Sequence, residues 1–176
     1  ASRKLHSQAL KTLAFCYQYG VGVEKDLFTT VQLLTIAQKN DPEASFLLGS
    51  LIYNGEEIDI KTGKWDSKTV VKQDFELAFH YFLNSKNFIP AQNFIGLAYM
   101  KGKGVEQNSF EAYKYLTSAA DGGFVDAKYN LALFYLDQKP NDKSYIDKAV
   151  LLLTEAADQY HIGASRKLHE LYDNGD

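Results

Sequence analysis

One spacing recurs along the chain and constrains its fold more than any other feature. An alanine is followed by Leu or Ile four residues on, by a small residue at five, and by glycine at eleven. Ala9, Leu13, Ala14 and Gly20 fit it, as do Ala44, Leu48, Gly49 and Gly55, and Ala91, Ile95, Gly96 and Gly102. Ala127, Leu131 and Ala132 fit until Gln138 replaces the glycine, and Ala164, Leu168 and Gly175 fit with His169 as the fifth residue. The leading alanines lie 35, 47, 36 and 37 residues apart, a period near 36 broken by one insertion of about a dozen. A period of this length means stacked supersecondary units that cannot bury their apolar faces alone.

Each position has a physical role when the leading alanine is counted as zero. Positions 0, +4, +5 and +8 share one face of a helix. A small residue at +5 lets a second helix approach, and the aromatic at +8 (Tyr17, Tyr99, Tyr135, Tyr172, with Ile52 as the exception) is expected to fill the next core layer. Glycine at +11 ends the helix in a left-handed conformation. A second helical pattern follows in each unit: Thr30, Leu33, Leu34 and Ala37; Ala78, Tyr81, Phe82 and Ser85; Ala112, Tyr115, Leu116, Ala119 and Ala120; Ala149, Leu152, Leu153, Ala156 and Ala157. Asp26, Asp74 and Asn108 stand where a helix N-cap is needed. The most regular unit is Pro90–Gly123, with helices predicted from Ala91 to Lys101 and from about Ser109 to Ala120 around the turn Gly102–Val105.

At these residues the chain resembles the Sel-one-like repeat (SLR) family, relatives of the tetratricopeptide repeats. ALKTLAFCYQYGVGVEKD and AQNFIGLAYMKGKGVEQN match the first half of the family pattern, and EAYKYLTSAADGG and KAVLLLTEAADQY the second. The resemblance spans Ala9 to Gly175. It implies an all-α, right-handed α-solenoid of helix–turn–helix repeats, four full units plus a terminal helix. The whole chain, 1–176, is then one SLR solenoid domain with units at about 8–40, 41–88, 89–123 and 124–161 and a last helix over 162–175. The implied role is a non-enzymatic scaffold or adaptor.

Composition narrows the chemistry. A net charge of −3 gives no electrostatic case for nucleic acid. No apolar run reaches membrane-spanning length. The single cysteine, Cys16, excludes internal disulfides and is expected to be a buried small hydrophobe. His6, His80, His161 and His169 fit no metal-ligand spacing and read as helix-surface or helix-end residues. The run Gly96–Gly102–Lys103 has the wrong glycine spacing for a phosphate loop and no preceding strand. No catalytic residue, cofactor or metal site is therefore expected. The chain begins at Ala1 rather than Met, as a processed or excised form would. A cytoplasmic location is the default, and a secretory or periplasmic one follows if a leader has been removed. The six residues ASRKLH occur at both Ala1–His6 and Ala164–His169, the second copy alone lying in the repeat register.

A partner must then be met by surface. Positions +2, +6, +9 and +10 lie opposite the core face, and the family resemblance places them on the concave side of the superhelix. They read Lys11, Phe15, Gln18, Tyr19; Phe46, Ser50, Tyr53, Asn54; Asn93, Leu97, Met100, Lys101; and Tyr129, Leu133, Leu136, Asp137. The expected partner-binding residues are Lys11, Phe15, Tyr19, Phe46, Tyr53, Asn93, Leu97, Lys101, Tyr129 and Leu133, together with Trp65 in the inserted loop 56–70. Phe15, Tyr19, Tyr53, Asn93, Lys101 and Tyr129 are expected to be exposed, about half of the apolar groove positions being used in packing between helices. The expected partner is a protein or peptide, taken by a monomer or by part of a larger complex. Two other readings exist: an inhibitor- or immunity-type protein that plugs one enzyme with the Trp65 loop, and a small-molecule hydrolase. The last finds little support, because the disulfide-rich branch of the family has cysteine pairs that this chain lacks.

Overall fold

The computed structural model describes residues 2–55 and 72–173, which form nine helices and no strand. They are α1 (Ser2–Tyr19), α2 (Leu27–Ala37), α3 (Pro42–Asn54), α4 (Phe75–Asn84), α5 (Ile89–Lys101), α6 (Ser109–Asp121), α7 (Val125–Gln138), α8 (Lys143–Ala157) and α9 (Ile162–Asp173). The chain divides into two compact units, Ala1–Ala91 and Gln92–Asp176. In the first, α1 pairs with α2 and α3 with α4, and α2 packs on α3. In the second, α6 packs on α7, α7 pairs with α8, and α8 packs on α9.

The hairpins close by a repeated set of backbone bonds. In the first three hairpins the N-cap residue of the second helix donates its N–H to the +8 carbonyl of the first: Asp26 to Tyr17 at 2.8 Å, Asn108 to Tyr99 at 3.0 Å, and Asp74 to Ile52 at 3.2 Å. The last pair is twenty-two residues apart rather than nine, so the insertion leaves the hairpin from a stitched base. A second stitch accompanies it, Gln73 Nε2 to the Tyr53 carbonyl and Gln107 Nε2 to the Met100 carbonyl, both 2.9 Å. Asp26, Asp74 and Asn108 cap α2, α4 and α6 by accepting from backbone N–H groups, which satisfies donors the helix cannot. Gly20, Gly55 and Gly102 have φ of 71°, 64° and 65°, the left-handed backbone expected at +11. In the fourth hairpin the glycine is absent, and α8 starts a turn early behind the cap of Asp142 on Ser144.

The +5 position explains the close helix pairing. A Cβ built on Gly96 would lie 2.7 Å from Leu116 Cγ and 3.1 Å from the Leu116 nitrogen. Gly96→Ala should therefore lose about 1–2 kcal/mol despite alanine's better helix propensity, because overpacking against backbone outweighs it. Urea denaturation would check this, and a gain in stability would refute the close-approach role.

Core clusters form where one hairpin meets the next. Ala14, Leu34, Ala37, Ala44 and Leu48 make one in the first unit. In the second unit, Ala112, Leu116, Ala119 and Ala120 pack with Ala127, Leu131 and Phe134, while Ala132, Ala149, Leu153 and Ala156 pack with Ala164. Two expectations fail at the ends of the array. Tyr172 is 67% exposed rather than core, because no second helix follows α9 among the described residues. Cys16 is only half-buried, on the uncovered edge of α1.

The turn into α9 departs from its relative. Phe124 donates to the Ala119 carbonyl at 3.0 Å, and His161 donates to Ala156 at 3.1 Å, so the two turns are built alike. Gly123 takes the left-handed position in one (φ 84°), and Tyr160 takes it in the other (φ 64°). A side chain there costs roughly 1–2 kcal/mol.

Candidate partner-binding surface

The expected partner-binding positions separate into two groups with different jobs. Position +2 faces the following hairpin, and in three of the four units it meets the residue three before that hairpin's leading alanine. Lys11 is 8% exposed, and its ammonium lies 2.8 Å from Asp41 and also pairs with Glu43. Phe46 packs on Phe88, ring centroids 5.2 Å apart. Tyr129 packs on the tilted His161 ring, centroids 4.6 Å apart. The His161 ring is held by the Ala164 N–H donating to its Nδ1 (3.0 Å) and by Asp126, 3.4 Å from its Nε2. Asn93 is 3% exposed and accepts from Asn130 Nδ2 at 2.9 Å.

Three expectations are corrected here. Lys11 is expected among the partner-binding residues and Asn93 also among the exposed ones, yet both are buried. Helix periodicity puts +2 away from its own hairpin partner, but stacking brings the next hairpin against it. These side chains fix how consecutive hairpins sit. Tyr129 is not exposed as expected: like Phe46, it is half-buried for the same reason.

Burial would push the Asp41 carboxyl up. The hydrogen bond and charge of Lys11, with bonds from the Glu43 N–H and Ser7, outweigh it and hold Asp41 below its ordinary 3.8. Burial likewise opposes the Lys11 charge, but Asp41 and Glu43 raise it above 10.5.

Positions +6 and +10 reach the surface, most fully on α1. Phe15 and Tyr19 are 54% and 60% exposed, with ring centroids 4.7 Å apart. Lys101 is exposed as expected, together with Asn54 and Asp137 at the same position. Tyr53 is not exposed as expected: it is half-buried, edge-on to Phe75 at 5.1 Å and 6.2 Å from Phe82. Leu97 is half-buried against the cluster around Leu116, and Leu133 is half-buried as well. Trp65 and the loop 56–70 lie outside the described residues.

Sequence reasoning passed over two exposed phenylalanines, Phe28 (54%) and Phe110 (73%). Both stand two residues before the first core position of a second helix, where the other second helices carry Glu76 and Asp147. Among the described residues no group of three or more His, Cys, Asp or Glu could hold a metal, and no helix is long and apolar enough to cross a membrane. Burial and the Tyr113 hydroxyl push the Tyr135 phenol up to about 12, so it stays a neutral hydrogen-bonding group.

Antiparallel hairpins with a small +5 contact, a left-handed +11 glycine and an N-cap stitched to +8 define an SLR-type helical repeat. The Sel1 repeat model matches residues 7–37, 63–85, 89–124 and 125–161, and the chain belongs to that family. The Sel1 repeat protein from Oxalobacter formigenes superposes with a TM-score of 0.77 at 23% identity, over 97% of this chain and 63% of that one. A protective antigen of uropathogenic Escherichia coli with an SLR fold gives 0.74 at 19% identity, over 96% of this chain and 34% of that one. The chain thus spans less than two thirds of either structure, and the likeness is one of fold: all-α, of the SLR solenoid class. Sel1 repeat proteins typically act as protein-interaction scaffolds, and the repeat is generally non-catalytic.

Proposed function

We propose that this chain is a non-enzymatic interaction module that binds a partner protein through the outward face of its first helices, led by Phe15 and Tyr19. One observation carries the reading. Tyr19 places an aromatic ring, tilted against Phe15 and more than half exposed, where the other three hairpins have Asn54, Lys101 and Asp137. Exposed paired aromatics are costly to leave in water and are favoured anchors at interfaces. Leu97, Lys101 and Leu133 stand at the corresponding +6 and +10 positions of their own repeats. Lys11 and Asn93 act beneath the surface by setting the spacing of hairpins.

The test is affinity purification with wild type and with a Phe15→Ala, Tyr19→Ala variant, recovered proteins being identified by mass spectrometry. Loss of two anchors should weaken a bound partner roughly 30-fold or more. Both side chains are exposed, so the thermal midpoint should stay near that of wild type. Equal recovery of the same partner by the folded variant would remove this face from the mechanism.

A further inference from the structure

The third and fourth hairpins both set a lysine over paired tyrosines, and only the third completes the set with a carboxylate. There, Tyr99 of α5 and Tyr115 of α6 stack with ring centroids 6.1 Å apart, and Lys114 Nζ lies 5.4 Å from the Tyr115 centroid. The Glu111 carboxylate sits 3.1 Å from that ammonium. It is also near enough to Tyr99 that burial first, and then the Glu111 charge, push the Tyr99 phenol up.

In the fourth hairpin, Tyr135 of α7 and Tyr145 of α8 meet edge to face at 5.6 Å. Lys148 Nζ lies 5.5 Å from the Tyr135 centroid and 5.4 Å from that of Tyr145, and Lys139 Nζ lies 4.9 Å from Tyr145. Lys148 stands where the third repeat has Glu111, one residue before the first core alanine of the second helix (Ala112, Ala149). The exchange takes a carboxylate away and adds a cation. Asp142 is 3.9 Å from Lys139, and it also accepts from the Ser144 N–H as the cap of α8. Lys148 has no ion pair among the described residues. Asp137 and Asp147 each follow a tyrosine of the pair by two residues, about 200° around the helix, and so face elsewhere.

The rings extend to open surface. Tyr113 of α6 lies 6.1 Å from Tyr135 and is 40% exposed, and Phe110, one turn earlier, is 73% exposed. Apolar rings and ammonium groups without a full complement of carboxylate thus lie on one patch. We propose that the Tyr113–Tyr135–Tyr145 cluster, with Lys139 and Lys148, docks an acidic segment of a partner protein. A Glu or Asp side chain of the partner takes the role that Glu111 has in the third hairpin, and an adjoining apolar side chain lies on Phe110 and Tyr113. The occupant follows from charge complementarity, for which the chain carries its own precedent. This patch belongs to the second unit and shares no residue with the Phe15–Tyr19 face, so either reading can fail alone.

The probe is the peptide Glu-Glu-Phe-Glu-Glu, with a version carrying Gln for every Glu as its uncharged control. Titrated into the intact 15N-labelled chain, the acidic peptide should shift the amide signals of Tyr113, Tyr135, Tyr145 and Lys148. The Gln version should bind roughly tenfold or more weakly. Lys148→Glu, which sets a carboxylate where the third hairpin has one, should weaken the acidic peptide by a similar factor, and Lys148→Arg should keep it. Lys148 is exposed, so the thermal midpoint should stay near that of wild type; if Lys148→Glu lowers it, Lys148→Gln serves instead. Shifts that avoid the cluster at about 1 mM peptide, or equal binding of the Gln version, would overturn the proposal. So would equal affinity for a polyphosphate chain, since the site would then answer to charge alone and the rings would have no part.

Discussion

Phe82→Ala should lower the unfolding free energy by about 3–5 kcal/mol, read as a fall in the urea midpoint. The ring is 1% exposed and joins both helices of the second hairpin, with Phe46 at 5.8 Å and Tyr53 at 6.2 Å. It also lies over Gly49, where a built Cβ would meet Phe82 Cε1 at 2.8 Å and Cδ1 at 2.9 Å. Ring and glycine are therefore one packing unit. Gly49→Ala alone should cost about 1–3 kcal/mol. In a Phe82→Leu background, which shortens the side chain over Gly49, the added cost of Gly49→Ala should shrink measurably. Strict additivity of the two would mean that the ring does not require the glycine. A domain's whole stability is typically about 5–15 kcal/mol, so Phe82→Ala alone could remove much of it.

The second large effect is expected at Lys11→Met. Methionine keeps most of the buried volume but leaves Asp41 and Glu43 facing an apolar group, a loss of about 1–3 kcal/mol. Its pH signature separates it from a packing defect. Asp41 titrates below its unfolded 3.8, so the stability it brings is full above that value and fades as pH falls through the lower folded one. Lys11 titrates above 10.5, so its share is full below that value and fades as pH rises through the folded one. In Lys11→Met the ammonium is gone while the burial stays, and the Asp41 carboxyl should titrate at higher pH. Carboxyl NMR titration of wild type and variant would show this. An unmoved Asp41 would mean that Lys11 does not hold it.

The hairpins themselves were legible in the sequence because their signals are local. A left-handed glycine at +11, a small residue at +5 and an Asp or Asn cap each act within a few residues of themselves, and Gly96, Gly102 and Asn108 do what their spacing predicts. The binding face was less legible. Periodicity gives a residue its angle on a helix but does not say which neighbour will occupy that angle. Lys11 and Asn93 point away from their own hairpin partner, as predicted, and into the next hairpin, which the spacing could not reveal. Leu13 and Tyr172 show the converse. Each has the letter of a core position, and each is exposed because its covering helix is absent among the described residues.

The +2 contacts also bear on how such a chain can change by gain or loss of whole repeats. Each junction has its own chemistry: an ammonium with two carboxylates at Lys11, two benzene rings at Phe46 and Phe88, a phenol on an imidazole at Tyr129 and His161. Excising the second repeat would bring Phe88 to the place of Asp41 and set a buried ammonium against a ring. Duplicating the fourth would set Tyr129 against a copy of Phe124, aromatic on aromatic. The order of units is thus written in non-interchangeable side chains, and some rearrangements are open to evolution while others carry an unmatched charge into the core.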